Sequence, residues 1–233
     1  MSTLVANEAA EIPEPSLEMV VDHFPQSDRV HQAMVRRAKL PVTVAERLVN
    51  VVSEELRREL VARGEVSSAL ATELILHSRE RATITLSSET DADDFDRLIR
   101  QLHESGRLTS SIVLRALCMG DLRFFESAVA TRAGLSVMNA RNLIHDSGPW
   151  DLNAIYDRAG LPRGQYPAVR AAIDVARETD YDGREHDRER YSRRMIERIL
   201  TQCGDLGGEF ESDDLEYLLA KMAQLADDSR EPL

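Results

Sequence analysis

Residues 120–162 read GDLRFFESAVATRAGLSVMNARNLIHDSGPWDLNAIYDRAGLP, and one short motif occurs in them twice. The tetrapeptide Arg-Ala-Gly-Leu that starts at Arg132 recurs 26 residues later, starting at Arg158. In each copy an amphipathic run ends at a glycine, Gly134 or Gly160, which can adopt the left-handed conformation that closes an α-helix. A repeat of such a short period is typical of stacked helical units. The stretch therefore predicts an array of short helices.

Outside this stretch, apolar residues also recur at helical spacing, and the sequence shows no pair of strand-like runs joined by a hairpin turn. The predicted fold class is all-α, an array of short helical hairpins (a HEAT-like α-solenoid) that ends in irregular C-terminal helices. We divide the chain into an N-terminal helical repeat (1–39), a helical-repeat core (40–183), and a charged helix with a C-terminal docking helix (184–233). The compact apolar start of segment 1–39 indicates either a repeat truncated by the loss of preceding units or an ordinary frayed terminus.

The same periodicity predicts which side chains are buried. We expect one continuous core in the repeat, and inward-facing apolar columns in the two long helical patterns that precede it. The residues expected in the repeat core are Leu117, Phe125, Leu143 and Ile155, and those expected to face inward in the earlier helices include Leu56, Leu70 and Leu74.

The composition narrows the classes of function. The chain has 233 residues, 42% of them hydrophobic, which is enough for a substantial core. Its 41 acidic residues outnumber its 29 basic ones, and the formal net charge of −12 disfavours general binding to nucleic acids and to anionic lipid surfaces. No apolar run approaches the roughly 20 residues of a membrane-spanning helix, and the two cysteines match no metal motif or disulfide framework. We therefore expect a cytoplasmic protein without a membrane segment.

No set of residues predicts catalysis, a metal or a cofactor. Glu185, His186 and Asp187 are three metal-ligating residue types in succession, but neighbouring positions on a helix point about 100° apart and cannot converge on one ion. His145 lies near a predicted helix end, where an imidazolium would interact favourably with the helix dipole. Cys118 lies in an apolar helix without a nearby cation to activate its thiol. We therefore predict a protein that is not an enzyme; the remaining histidines are scattered singly along the chain (His23, His31, His77 and His103).

One charged pattern remains, on the predicted helix that begins near residue 184. Arg190, Arg194 and Arg198 are spaced four residues apart beside an apolar column on the same helix, and like charges at that spacing repel each other by roughly 0.2–0.5 kcal/mol per pair. The column is either a solvated flank balanced by neighbouring acidic residues or a site for an anion or an acidic partner, since the guanidinium group matches carboxylate and phosphate geometry. The candidate residues for binding a ligand or a partner are Arg190, Arg194, Arg198, Arg184 and Arg188.

Four segments carry a resemblance to a known family. They are LPVTVAERL (40–48), RALCMGDL (115–122), NLIHDSGP (142–149) and ETDYDGREHDRER (178–190). Through them the chain resembles an uncharacterised bacterial family, domain of unknown function 2336, over residues 40–202. The resemblance implies HEAT-type helical repeats, often with further repeats upstream. It implies no activity and no catalytic residues.

An extended helical array without a convergent catalytic set predicts recognition. The first hypothesis is a non-enzymatic scaffold or regulator that binds a protein partner, because stacked helical pairs present extended surfaces. The alternative is a sensor in which the arginine column binds a phosphate-bearing ligand such as a nucleotide second messenger. Binding of nucleic acid along a basic stripe is a weaker third hypothesis, and the sequence leaves the oligomeric state open.

Overall fold

Helices form all the regular structure in the part of the chain that the computed structural model describes. That part comprises residues 10–37, 39–63, 66–88, 90–145, 149–178, 193–194, 196–198 and 201, without the side chains of residues 149–151. No strand occurs among these residues, which confirms the predicted all-α class. In chain order the helices are α1 (Glu14–His23), α2 (Asp28–Val35), α3 (Val42–Arg63), α4 (Ser68–Ser88), α5 (Ala92–Glu104), α6 (Ser110–Cys118), α7 (Leu122–Ala133), α8 (Val137–His145), α9 (Pro149–Arg158) and α10 (Tyr166–Glu178), with a short 3-10 helix at Arg163–Gln165.

Two compact units make up the chain, one formed by residues up to Gln101 and the other by residues from Leu102 onward. This division falls inside the segment predicted as a single repeat core, residues 40–183. Among the helices described, none is long and apolar enough to cross a membrane.

The core of the first unit lies where α1 and α2 meet the N-terminal half of α3. Gln101, near the end of α5, ties that helix to the same place, because its Nε2 donates to the Thr43 carbonyl at 3.1 Å and to the Glu46 carboxylate at 2.8 Å. Apolar side chains of α1, α2 and α3 form this core, on both sides of the predicted boundary at residue 39: Leu17, Val20, Val21, Val30, Met34, Val44 and Leu48.

Helices α3 and α4 pack against each other as a long antiparallel hairpin. A hydrogen bond from Arg79 Nη1 to Asn50 Oδ1 at 2.7 Å fixes their register. Asn50 lies 14 residues before position 64 and Arg79 lies 14 residues after position 65, so the two are symmetric about the turn. At about 1.5 Å per residue each of these helices is roughly 30 Å long. The hairpin is therefore long enough to extend beyond the core formed by α1 and α2.

The second unit is centred on α6, in which every residue from 112 to 118 is buried. Helix α7 packs on both α6 and α8, and α8 and α9 pack on each other, so neighbours in sequence are neighbours in space. Burial confirms three of the predicted core residues, because Leu117, Phe125 and Ile155 are each at most 1% exposed.

The fourth residue predicted in that core, Leu143, is placed wrongly. Its side chain is half-buried, and the neighbouring Ile144 is 0% exposed and fills the core position on α8. One residue on a helix corresponds to a rotation of about 100°. The apolar pair Leu143-Ile144 does not reveal from sequence which of its members faces inward.

The repeated glycine and leucine end both α7 and α9 in the same way. Gly134 and Gly160 each have a φ of 66°, in the left-handed region where an L side chain is strained. The following leucines then donate backwards across the helix end, Leu135 N–H to the Ala130 carbonyl at 2.9 Å and Leu161 N–H to the Tyr156 carbonyl at 3.4 Å. These are the six-to-one bonds of a Schellman motif, and they confirm the helix ends predicted from the repeat.

The repeated arginines link the two helix ends to each other. Arg132, on α7, donates from Nε to the Ala159 carbonyl at 2.8 Å and from Nη2 to the Gly160 carbonyl at 3.1 Å, both at the end of α9. Arg158, on α9, donates from Nε to the Ala133 carbonyl at 2.7 Å, at the end of α7. Each copy of the motif therefore supplies a cation to the carbonyl end of the other helix, where unpaired carbonyls and the helix dipole favour positive charge.

We expect Arg132→Gln to lower the free energy of unfolding by roughly 1.5–3 kcal/mol, the range for losing charged hydrogen bonds. Arg132 also donates from Nη1 to the Leu108 carbonyl at 2.6 Å, so the change removes contacts to two separate segments. Urea denaturation measures the effect, and Arg163→Gln is the control, because the Arg163 side chain forms an exposed ion pair with Asp157 worth about 0–1 kcal/mol. Equal losses in the two variants would show that the reciprocal bonds do not stabilise the fold.

A second prediction concerns the register of α8. Ile144→Ala should lower the free energy of unfolding by roughly 2–5 kcal/mol, as expected for a fully buried aliphatic side chain. Leu143→Ala should cost less than half as much, because water already reaches the Leu143 side chain. Chemical denaturation in which the Leu143 variant is the less stable of the two would reverse this assignment.

Candidate functional site

Two of the five predicted arginines lie in the described part of the chain, and both line one groove. Arg194 and Arg198 form it together with the C-terminal end of α10, which contributes Val175 and Glu178. The groove is open and has a volume of about 450 Å³, within the range of roughly 300–1,000 Å³ typical of sites for small molecules. Glu197 and Thr201 complete the lining among the residues that the structure describes.

The charges in this groove are mixed. Arg198 Nη2 lies 2.8 Å from Glu178 Oε2, and both side chains are substantially exposed to water. Such a surface ion pair is worth about 0–1 kcal/mol, so an incoming anion could compete for Arg198. Glu197 adds a further carboxylate. The groove therefore has the right residue type for a phosphate, but among its described lining residues the two arginines are matched by two glutamates.

The other predicted arginines, Arg190, Arg184 and Arg188, fall outside the described residues, as does the Glu185-His186-Asp187 run. Alignment of the full arginine column therefore stays a prediction. The structure places Arg194 and Arg198 in one groove.

A second polar cluster surrounds Glu126 of α7, which is 7% exposed. Arg141 Nε lies 2.5 Å from Glu126 Oε2, and His145 Nε2 lies 2.6 Å from Glu126 Oε1. Both carboxylate oxygens are thus engaged by side chains of α8, and this favours a role in holding α8 on α7 over a role as a general base. The sequence prediction for His145 missed this contact, since its partner is 19 residues away; the only sequence signal was an acidic residue within the apolar run of α7.

The first unit presents an apolar surface to water. On α3, apolar residues recur every four positions at Val44, Leu48, Val52, Leu56 and Leu60. The first two are buried in the core, whereas Val52 and Leu56 are each 47% exposed. Side chains four residues apart differ by about 40° in direction, so this apolar stripe winds around the helix and passes from the core to the surface.

Helix α4 adds a second exposed pair, Leu70 at 47% and Leu74 at 49%. Leu56 lies six residues after Asn50 on α3, and Leu74 lies five residues before Arg79 on α4. At about 100° per residue, each leucine points roughly 120–140° away from the direction of the Asn50–Arg79 hydrogen bond on its own helix. Because the helices are antiparallel, equal rotations bring both leucines to the same side of the hairpin. Both also lie about 8–9 Å along the axis toward the turn. Val52 and Leu70 each lie one turn before one of these leucines on the same helix, rotated from it by about 40°. We call the exposed apolar surface formed by Leu56 and Leu74 with their neighbours Val52 and Leu70 the hairpin face.

The hairpin face corrects the expectation that Leu56, Leu70 and Leu74 face inward. Periodicity identified them correctly as one-sided, but their side of the hairpin is not covered by the core of the first unit. An apolar stripe shows that a helix has a partner-facing side; it does not show whether that partner belongs to the same chain.

Comparison with known proteins gives one match. The model of a family described as "Uncharacterised protein conserved in bacteria (DUF2336)" matches residues 1–207, most of the chain. No curated protein and no solved structure matches the chain.

Proposed function

We propose that this chain, which belongs to the uncharacterised bacterial family DUF2336, is a non-enzymatic scaffold or regulator that binds another protein through the hairpin face. The supporting observation is the concentration of exposed apolar side chains on α3 and α4, with Leu56 and Leu74 on the same side of the hairpin. Of the eight large apolar residues exposed in the described part of the chain, four belong to this face. Contiguous exposed apolar patches mark interaction sites more often than scattered single residues do.

The energy available from covering this face is sufficient for a specific contact. Fully burying a valine or leucine contributes roughly 1.5–3 kcal/mol. Covering the exposed halves of four such side chains therefore contributes roughly 3–6 kcal/mol before the cost of association is subtracted. Polar contacts around the edge must supply the remainder, which fits a regulated and reversible complex better than a permanent one.

The occupant that best fits the face is an amphipathic helix of the partner protein. Leu56 and Leu74 lie at the same level on adjacent helices, with Val52 and Leu70 on either side of that level along the hairpin axis. The patch extends over roughly 10 Å, which corresponds to about two turns of an α-helix. A helix with apolar residues at i, i+3 or i+4, and i+7 would place its stripe along the line between α3 and α4.

We also propose that the chain is a HEAT-like array of helical hairpins and that it acts in the cytoplasm. The array is supported by the packing of α6 on α7, α7 on α8 and α8 on α9, and by the motif repeated at the ends of α7 and α9. Arrays of this kind commonly present binding surfaces for proteins. The low cysteine content, two in 233 residues, fits a reducing compartment.

We expect the paired changes Leu56→Glu and Leu74→Glu to abolish partner binding while leaving the fold intact. Both side chains are half exposed, so the free energy of unfolding should fall by only roughly 0.75–1.5 kcal/mol per site, half the value for a fully buried leucine. Purified full-length protein, wild type and double variant, would be used to capture partners from a lysate of a bacterium that carries the gene. A captured protein is then purified, and a peptide of its amphipathic helix is titrated against both forms.

Met138→Glu is the matched control, because Met138 is 65% exposed but lies in the second unit. The proposal requires that the same partner and peptide bind the wild type and the Met138 variant, and bind the double variant at least tenfold more weakly. Equal binding by all three forms would exclude the hairpin face. A wild type that is a dimer by light scattering, with a monomeric double variant, would show that the face pairs two copies of this chain instead.

A ligand sensor is the second candidate function, and the groove at Arg194 and Arg198 favours it. Two guanidinium groups in a groove of about 450 Å³ suit a phosphate-bearing ligand such as a nucleotide second messenger. It ranks second because Glu178 and Glu197 share the groove, and Glu178 already pairs with Arg198. Nucleic acid is a weaker candidate still, since the chain carries a net charge of −12.

If the sensor hypothesis holds, cyclic mononucleotides or dinucleotides should raise the melting temperature of the full-length protein. Changing Arg194 and Arg198 to Gln together should weaken that ligand at least tenfold in calorimetric titration. Arg163→Gln, at an exposed arginine of the second unit, should leave the affinity unchanged. The sensor hypothesis is rejected if no nucleotide shifts the wild type, or if the shift is the same in the double variant.

A further inference from the structure

Three metal-ligating side chains of the first unit converge on one point. Asp28 and His31 lie three residues apart on α2, and Glu55 lies on α3. A ring nitrogen of His31 and one carboxylate oxygen from each acidic residue all lie within 4.8 Å of one another. The spacing of three residues places Asp28 and His31 on one side of their helix, facing Glu55.

The state of His31 sets this cluster apart from an ordinary group of surface acids. His31 is 4% exposed, and its Nε2 is buried without a hydrogen-bond partner among the described residues. Burying an unsatisfied polar atom costs about 1–3 kcal/mol, so such atoms are uncommon in folded proteins and call for an explanation. A bound ion that draws in the imidazole is one such explanation, since imidazole is a common metal ligand.

We propose that Asp28, His31 and Glu55 bind a divalent transition-metal ion, with Zn²⁺ as the best fit. One imidazole nitrogen and two carboxylate oxygens form a mixed donor set that Zn²⁺ accepts at about 2.0–2.2 Å. A pure oxygen set would instead favour Ca²⁺ or Mg²⁺. Three ligand atoms within 4.8 Å of one another can surround such an ion after small side-chain movements.

Access to the site differs between its members. Asp28 is exposed and Glu55 is half-buried, while His31 is buried. This arrangement leaves the carboxylate side open to water, so a water molecule can complete a tetrahedral set of three protein ligands. The ion would then link α2 to α3 near the core of the first unit.

The role of such an ion is structural stabilisation of the first unit. Residues 28–35 form only about two turns of helix, too short to be stable alone. Binding of a metal to the folded form alone raises its stability in proportion to the logarithm of metal concentration over the dissociation constant. The position of α2 against α3 should therefore become more resistant to unfolding when the metal is bound.

The test uses full-length protein treated with a chelator and then titrated with Zn²⁺. Calorimetry should give one site that depends on the cluster, and the melting temperature should rise on addition of Zn²⁺. Asp28→Asn and Glu55→Gln remove one ligand each at little cost to packing, and each should weaken binding at least tenfold and reduce the thermal shift. Glu59→Gln, one helical turn further along α3 and exposed, is the matched control and should bind as the wild type does.

Co²⁺ provides a second measurement that does not depend on stability. Its visible absorption bands should appear with the wild type and the Glu59 variant and should be lost with the other two variants. Absence of Zn²⁺ binding to the wild type overturns the proposal. Binding that is unchanged in Asp28→Asn and Glu55→Gln also overturns it, because the ion would then lie elsewhere in the chain.

Discussion

The second unit depends on the hydrogen bonds that Arg132 donates to the carbonyl end of α9 and that Arg158 donates to the carbonyl end of α7. A helix end leaves carbonyl groups without intrahelical partners, and two such ends lie side by side where α7 and α9 finish. Each arginine satisfies the carbonyls of the other helix, so neither end is completed by its own residues alone. The motif Arg-Ala-Gly-Leu thus has two functions. Its glycine ends its own helix in the left-handed conformation, and its arginine caps the end of the other helix.

This arrangement explains why the sequence predicted the helices of the second unit well. The glycine, the leucine and the apolar periodicity act over a few residues, and their consequences can be read from a single segment. The arginine hydrogen bonds join residues that lie 25 to 28 positions apart in the sequence. The sequence showed only that the motif was repeated, and it did not show these bonds. The error at Leu143 has a similar origin, because α7 and α9, rather than α8 itself, determine which side of α8 is covered.

The candidate sites were predicted less well, for reasons that differ between them. His31 was interpreted as a single histidine, although Asp28 three residues earlier was a weak local signal; Glu55 joins them only because α2 packs beside α3. Glu126 likewise gains its partners from another helix. The arginine column was visible as a pattern, yet the carboxylate of Glu178, which pairs with Arg198, comes from a different helix. A sequence shows charges of both signs without showing which of them neutralise each other.

Helix α3 carries an apolar stripe, with one residue in every four, that is buried at its N-terminal end and exposed to water farther along. Val44 and Leu48 lie in the core, whereas Val52 and Leu56 meet water. The first pair is constrained by the folding of the unit. Substitutions at positions 52 and 56 remove only about half as much buried surface and therefore cost less stability. If the hairpin face binds a partner as we propose, descendants of this gene could change partners by altering half of one helix while the other half preserves the architecture.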